Sequence, residues 1–425
     1  MSLQRTVSRH LPQTRETWMR LVILSNLIFW AAHAIHELWI RGLFVVLGGD
    51  WASFWGATQA FERIKPAAGY HISAIAAATR PLSVFSHDGA RGARIGPAPY
   101  PPIFLDLFSL FTALPPVVGY LLWTAISALI ALVVFERVAT YARVRSPWTI
   151  ALLLLSSFPV MMALFVGQVV SILLICILFA VLDLQAGREL RAGFWIGLLA
   201  LKPQYAPCLV LVLLLKRRWS ALAGVGLGGS AVLVASLITG GLSGVVAYGR
   251  ELVTSYPSFA GSAGVDPRGQ VSWRSMVAML LPGLGTGWGL ALVVVLSILT
   301  LLTLPFIWRG PWNPQSADFT PKFMATLAVT LLVAYQSQPH GAALLLIPGV
   351  LVVRQSRARA AFRRLFAAAI AVAPWLGLVS ALALGNLWLV SLAISGLLVS
   401  VIILTLRPAG RVPAPALAGM RHSVA

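Results

Sequence analysis

The sequence predicts an all-α integral membrane protein, and three observations carry that prediction. Hydrophobic residues make up 59% of the 425-residue chain and charged residues only 10%, with a mean hydropathy of +0.86. A soluble globule carries about 25% charged residues, so this chain cannot clothe itself in a water-facing surface. The apolar residues also fall in runs that approach the roughly 20 residues a membrane-spanning helix needs. Finally, the formal charge of +20 is concentrated between those runs, as the positive-inside bias of membrane proteins requires.

The same charge, with a pI near 11.4, would suggest a nucleic-acid partner in a soluble chain. No basic run here interleaves with stacking aromatics as single-strand binding demands, and no nucleic acid is expected. Cys176 and Cys208 both lie inside apolar runs. They read as small core hydrophobes and form no disulfide framework or zinc motif.

The elements follow in order. Residues 1–20 are polar and basic, and form a cytoplasmic N-terminus. Residues 21–40 form the first span. Ala32-His33-Ala34 mimics a signal-peptidase site, but the apolar pattern runs past it to Leu47, so the span is read as uncleaved. A first outer loop covers residues 48–116. Within it, residues 103–114 are apolar but too short to cross, and read as an interfacial helix that Pro115-Pro116 ends. Spans follow at 117–135, 149–165 and 169–184.

Residues 193–215 are different. Basic residues flank both ends (Arg188 and Arg191, then Lys216-Arg217-Arg218), and Lys202-Pro203 interrupts the middle. Both ends should therefore face the cytoplasm, with a hairpin of two short helices bent at Lys202. Broken backbone at that depth is tolerated where it lines a cavity or packs on protein. A span at 222–238 leads to a second outer loop, 240–275, and a short helix at 276–281. The remaining spans are 288–307, 323–335, 341–353, 366–383 and 387–406. Counting the hairpin twice gives about 12 membrane helices in one polytopic domain, residues 21–406, before a basic cytoplasmic tail at 407–425. Both termini lie inside on this map.

Charged groups inside or beside spans are costly and so are often functional. Asp50, where the first span meets the outer loop, can serve as a general base on a hydroxyl or hold a divalent cation. It can equally cap a helix over residues 51–61. Lys202 beside its proline calls for an anion, and a lipid phosphate suits its compact charge. It sits too deep to reach a surface easily by snorkelling. His340, in a turn between two short spans, either contacts a phosphate or is a solvated turn residue. Pro99-Tyr100-Pro101-Pro102 reads as a shaped turn or lid. His33, His36 and Glu37 share a helical face, but their order matches no zinc-protease pattern, which favours a cavity-lining or helix-packing polar cluster over a metalloprotease site. No phosphate-cradling glycine loop for a nucleotide is present.

Several of these residues recur together in one order. Asp50-Trp51-Ala52-Ser53-Phe54-Trp55, Tyr70, Pro99-Tyr100-Pro101-Pro102, Gly167-Gln168, Lys202-Pro203-Gln204 and Pro339-His340 resemble glycosyltransferase family 87 of the GT-C superfamily. That family includes polyprenyl-phosphate-mannose-dependent mannosyltransferases. The sequence departs from its pattern at Gly341-Ala342-Ala343-Leu344, where an aromatic-Asp pair is common, and at His71, where an acidic residue often follows the tyrosine.

The resemblance implies a GT-C fold and a hexosyltransferase that moves a sugar, mannose first, from a polyprenyl-phosphate donor to a lipid or glycan hydroxyl, with inversion. It implies a bacterial inner-membrane location and an active site facing the periplasm or exterior. Asp50 becomes the catalytic base, and Lys202, His340, Gln168 and Tyr100 become substrate-binding residues. The first outer loop would hold the acceptor, and its interfacial helix would admit a lipid tail. No cofactor is called for, although Asp50 leaves room for a divalent cation. The competing reading is a transporter or flippase of lipid-linked sugars, because broken helices are common in carriers.

Overall fold

The computed structural model describes residues 3–87, 96–255, 267–355, 360–384 and 387–406. The basic tail at 407–425 and parts of both outer loops, 88–95 and 256–266, lie outside the described residues. Those described form an all-α membrane protein.

The first long helix, α1 (Leu3–Ile40), carries the first span. The outer loop that follows is itself helical. It contains α2 (Gly49–Arg63), α3 (Ile72–Thr79) and α4 (Pro102–Thr112), joined by short 3-10 turns. Helix α2 is buried from Trp51 to Phe61, so this segment is part of the packed body. Helix α4, at the expected interfacial position, buries Phe104, Leu105 and Phe108 and leaves Leu107 and Leu110 exposed. Phe54 meets Phe104 and Phe108 edge-on at 5.4 and 5.7 Å, a favoured aromatic geometry.

Helix α5 (Pro116–Tyr141) is a full span. The expected single span at 149–165 is instead two helices, α6 (Pro147–Leu155) and α7 (Phe158–Val166), bent by 58°. Pro159 explains the break. It lacks an N–H, and its ring would strike a carbonyl one turn back in a continuous helix. Ser156 and Ser157 satisfy the freed end by donating to the Leu153 and Leu154 carbonyls at 3.0 and 2.5 Å.

Helix α8 (Val170–Gln185) leads into the hairpin of α9 (Glu189–Gly197) and α10 (Pro207–Leu215), with two 3-10 turns meeting at Lys202-Pro203. The hairpin base is held by ion pairs in the basic turns: Arg188 with Asp183 at 2.8 Å, and Arg218 with Glu189. Helix α11 (Trp219–Arg250) runs beyond the expected 222–238, kinking at Gly241 (φ 60°). It packs on α9 with backbones in contact. A Cβ on Gly193 would lie 1.8 Å from the Ala221 carbonyl oxygen, and one on Gly224 2.0 Å from that of Leu190. Small residues of this kind are how membrane helices pack closely without a hydrophobic driving force.

The remainder comprises α12 (Trp273–Leu280), α13 (Thr286–Leu301), α14 (Thr303–Ile307), α15 (Phe319–Val333), α16 (Leu346–Gln355), α17 (Ala360–Leu384) and α18 (Trp388–Leu406). A 3-10 turn over Pro339–Leu345 precedes α16 and is buried throughout. Among the described residues, five helices are long and apolar enough to cross a bilayer, or six if the bent pair is one span. The other apolar helices are shorter, and α15 is buried along nearly its whole length. Short, enclosed helices of this kind suit a body that surrounds a polar interior.

Candidate functional site

A polar network occupies that interior, built from five separate stretches of chain. Gly48 caps α2 in a left-handed conformation (φ 69°), which places Asp50 in the first turn. The N-cap position of α2 is Gly48 and not Asp50, so the capping role considered from sequence is not the one observed. Instead Gln168 Nε2 donates to Asp50 Oδ2 at 2.5 Å. Gln168 Oε1 accepts from Lys202 Nζ at 2.9 Å and from the Tyr100 hydroxyl at 2.9 Å. Lys202 Nζ also lies 3.4 Å from His340 Nε2.

The chemistry of the donors fixes this arrangement. An ammonium only donates and a carboxylate only accepts. Gln168 must therefore turn its oxygen to Lys202 and its amide nitrogen to Asp50. The same rule lets the Lys202 ammonium donate toward His340 Nε2. Lys202 also lies over the rings of Tyr100 and Tyr205, 5.7 and 5.8 Å from their centroids, a cation–π setting for a desolvated charge.

Backbone geometry brings the pieces together. Gly167 ends α7 in the left-handed region (φ 81°), and a Cβ there would lie 2.5 Å from Trp51 Cβ. Only glycine lets the chain turn there against α2, and the turn sets Gln168 beside Asp50. Three further bonds hold the junction: Gly48 N–H to the Phe165 carbonyl at 2.8 Å, Tyr120 Oη–H to the same oxygen at 2.7 Å, and Trp123 Nε1–H to the Gly167 carbonyl at 2.9 Å. Tyr70 donates to the Tyr100 carbonyl at 2.9 Å, fixing the Pro-Tyr-Pro-Pro segment. That segment is therefore a buried wall of the site rather than a lid.

Lys202, Gln168 and Tyr100 are buried, and His340 is only 2% exposed, which removes the solvated-turn reading of the histidine. Asp50 is part-buried. Burial holds its carboxyl above the ordinary carboxylate range, while the Gln168 hydrogen bond and the Lys202 charge pull it down. Asp50 and Lys202 make no direct ion pair; the amide of Gln168 stands between them. The structure thus brings together all five residues singled out in the sequence: Asp50, Gln168, Lys202, His340 and Tyr100. Sequence reasoning missed Gly167 as the hinge of the arrangement, and it missed Tyr205, although its place three residues after Lys202 was a usable signal.

The other polar group on α1 stands apart from this network. His33, His36 and Glu37 present ligand atoms within 4.8 Å of one another. Arg41 Nε lies 3.6 Å from Glu37 Oε2, and the His33 ring stacks on Phe165 at 5.1 Å. A cation there would compete with the guanidinium. The packing role read from sequence accounts for these contacts.

A membrane-embedded body around a carboxylate and an amine, held apart in a buried polar network, defines a candidate membrane-bound transferase. The chain belongs to glycosyltransferase family 87, whose family model matches residues 99–337, more than half of the sequence. Comparison with curated proteins and with solved structures found no match. The family makes the protein a glycosyltransferase acting on a sugar donor and an acceptor, and gives no support to the transporter reading.

Proposed function

We propose that this glycosyltransferase moves a hexose, mannose in the first instance, from a polyprenyl-phosphate donor to a lipid or glycan hydroxyl at the outer face of the bacterial inner membrane. The observation that carries the reading is the Asp50–Gln168–Lys202–His340 network. It holds an acid–base group and a cation one amide apart, in a body built from membrane helices.

In this reading an acceptor hydroxyl attacks the anomeric carbon while Asp50 takes its proton, since a neutral hydroxyl is a poor nucleophile. The new glycosidic C–O bond forms as the bond from that carbon to the phosphate oxygen breaks. The electron pair leaves with the lipid phosphate, and Lys202 and the ring of His340 stabilise the charge that develops there. A base on one side of the sugar and a cation on the other suit a single displacement with inversion. Gln168 keeps the two charges from neutralising each other, so both stay available to substrate. The residues named act without a cofactor, and Asp50 is also the group that would ligand a divalent cation if one takes part. The first outer loop, 48–116, holds the acceptor in this scheme.

The test is transfer from radiolabelled polyprenyl-phosphate mannose to a membrane lipid extract by protein in lipid nanodiscs. Wild type should transfer label, and Asp50→Asn, checked for folding by its thermal transition, should lose activity by about 10²–10⁴-fold. Equal transfer by both proteins would remove Asp50 from the mechanism. No transfer by wild type from mannosyl, glucosyl or galactosyl polyprenyl phosphates would overturn the donor class.

A further inference from the structure

An open apolar groove runs between α13 and α15, lined by Leu290, Val294, Ile298 and Leu332, with Arg274 and Tyr335 at its rim. Leu290, Val294 and Ile298 are each about half exposed. The Arg274 guanidinium stacks on the Tyr335 ring at 4.5 Å. Helix α12, which carries Arg274, is anchored to α13 by Trp273 Nε1, which donates to Thr300 Oγ1 at 2.8 Å. A cation lining a mainly apolar groove is complementary to an anionic lipid.

The rim of this groove adjoins a second feature. Val271 N–H donates to the Ser337 carbonyl at 2.7 Å, so the segment leading into α12 meets the 336–338 turn in a seam. Ser272 Oγ, Ser275 Oγ, Gln336 Nε2 and Ser337 Oγ are buried there, with no hydrogen-bond partner among the described residues. Ser272 is the N-cap residue of α12, yet its hydroxyl makes no capping bond. Buried polar groups are normally paired, and these are neutral donors and acceptors rather than charges. They suit the hydroxyls of a sugar. Ser337 is three residues from His340, at most about 11 Å along the chain.

We propose that the α13–α15 groove takes the polyprenyl chain of the donor, with Arg274 receiving its phosphate as it enters and the Ser272–Ser337 seam opening to bind its hexose hydroxyls. The assignment rests on the glycosyl-transfer reading above. It puts donor entry at a place distinct from the interfacial helix α4.

Binding of three probes to full-length protein in nanodiscs tests it: polyprenyl-phosphate mannose, bare polyprenyl phosphate and phosphatidylglycerol. Val294→Trp fills the groove, Arg274→Gln removes its charge, and Ile238→Trp serves as a lipid-facing control away from it. Thermal transitions report folding. The expected result is a tenfold or greater loss of affinity for both polyprenyl phosphates in the first two variants, with the control unchanged. Ser337→Ala should weaken only the mannosylated probe.

Unchanged donor affinity in Val294→Trp and Arg274→Gln would overturn the groove, as would a loss confined to phosphatidylglycerol, which would make it a site for bulk lipid. Equal effects of Ser337→Ala on the mannosylated and bare probes would overturn the seam. If wild type binds neither polyprenyl phosphate, the donor reading falls together with the groove. If it binds them but the variants retain full affinity, only the groove falls.

Discussion

Gln168 fits only one way round between its neighbours, and that makes the protonation of Asp50 depend on it. Burial raises the Asp50 carboxyl, while the Gln168 amide and the Lys202 charge lower it. As the proposed base, Asp50 works only when ionised, so activity should fall as pH drops through a midpoint above the ordinary aspartate value of about 3.9. Removing either lowering influence should move that acidic limb to higher pH. Lys202→Met should do so, and Gln168→Glu should do so further, because a second carboxylate against Asp50 disfavours ionisation. Rate profiles of kcat/KM against pH for wild type and both variants decide this, and an unshifted limb would show that a different group titrates. At this scale the sequence was informative. Asp50 and Lys202 stood out because charges are rare in apolar chains, and His340 because it sits beside a proline in a short turn. What the sequence did not convey was that Gln168 touches both charges, because the contact spans 118 residues and follows from no local pattern.

The helix elements divide by the same physics. The full spans and the Lys202-Pro203 break were legible, since length, hydropathy and proline act locally. The 149–165 segment reads as one span because its length and hydropathy suffice to cross, although Pro159 is as local a signal of the 58° break as Pro203 is of the hairpin. In the first outer loop the helices expected at 51–61 and 103–114 coincide with α2 and α4, and only α3 went unread. The loop's helices bury one another's faces, and Gly, Pro and charged residues at their ends resemble loop composition. The α7–α2 junction offers a test at this scale. Alanine at Gly167 must adopt a left-handed backbone and meet Trp51, for a cost of about 1–3 kcal/mol. Gly167→Ala should lower the thermal transition, and transfer activity should fall more than tenfold as Gln168 leaves Asp50. A stable variant with full activity would show that the junction does not position the site.

For the molecule as a whole, the topology we propose follows the positive-inside bias, with the turns around Arg143, Arg188 and Arg217 in the cytoplasm and the first loop outside. Cys176 and Cys208 are buried, so single cysteines introduced elsewhere can report orientation with little background. Ser73 on α3 and Ser220 at the start of α11 are both exposed. In intact cells a membrane-impermeant maleimide should label Ser73→Cys and spare Ser220→Cys until the membrane is permeabilised. The reverse pattern would invert the topology and move the proposed chemistry to the cytoplasmic face. The scaffold tolerates a buried charge because the polar network is paired internally, which few soluble-protein arguments would have anticipated from composition alone.

The spread of the network along the chain also sets when the site comes into being. Asp50 and Gln168 are 118 positions apart, and Lys202 and His340 are 138 apart. Synthesis proceeds from the N-terminus, so the ribosome delivers the carboxylate first, its amide partner and the amine later, and the imidazole near the end. Until the segment bearing His340 has been inserted, the nascent chain holds an ammonium short of one of its partners, and the proposed site is incomplete. The proposed site is therefore complete in sequence only once His340 has been made, with α16, α17 and α18 still to follow it into the membrane.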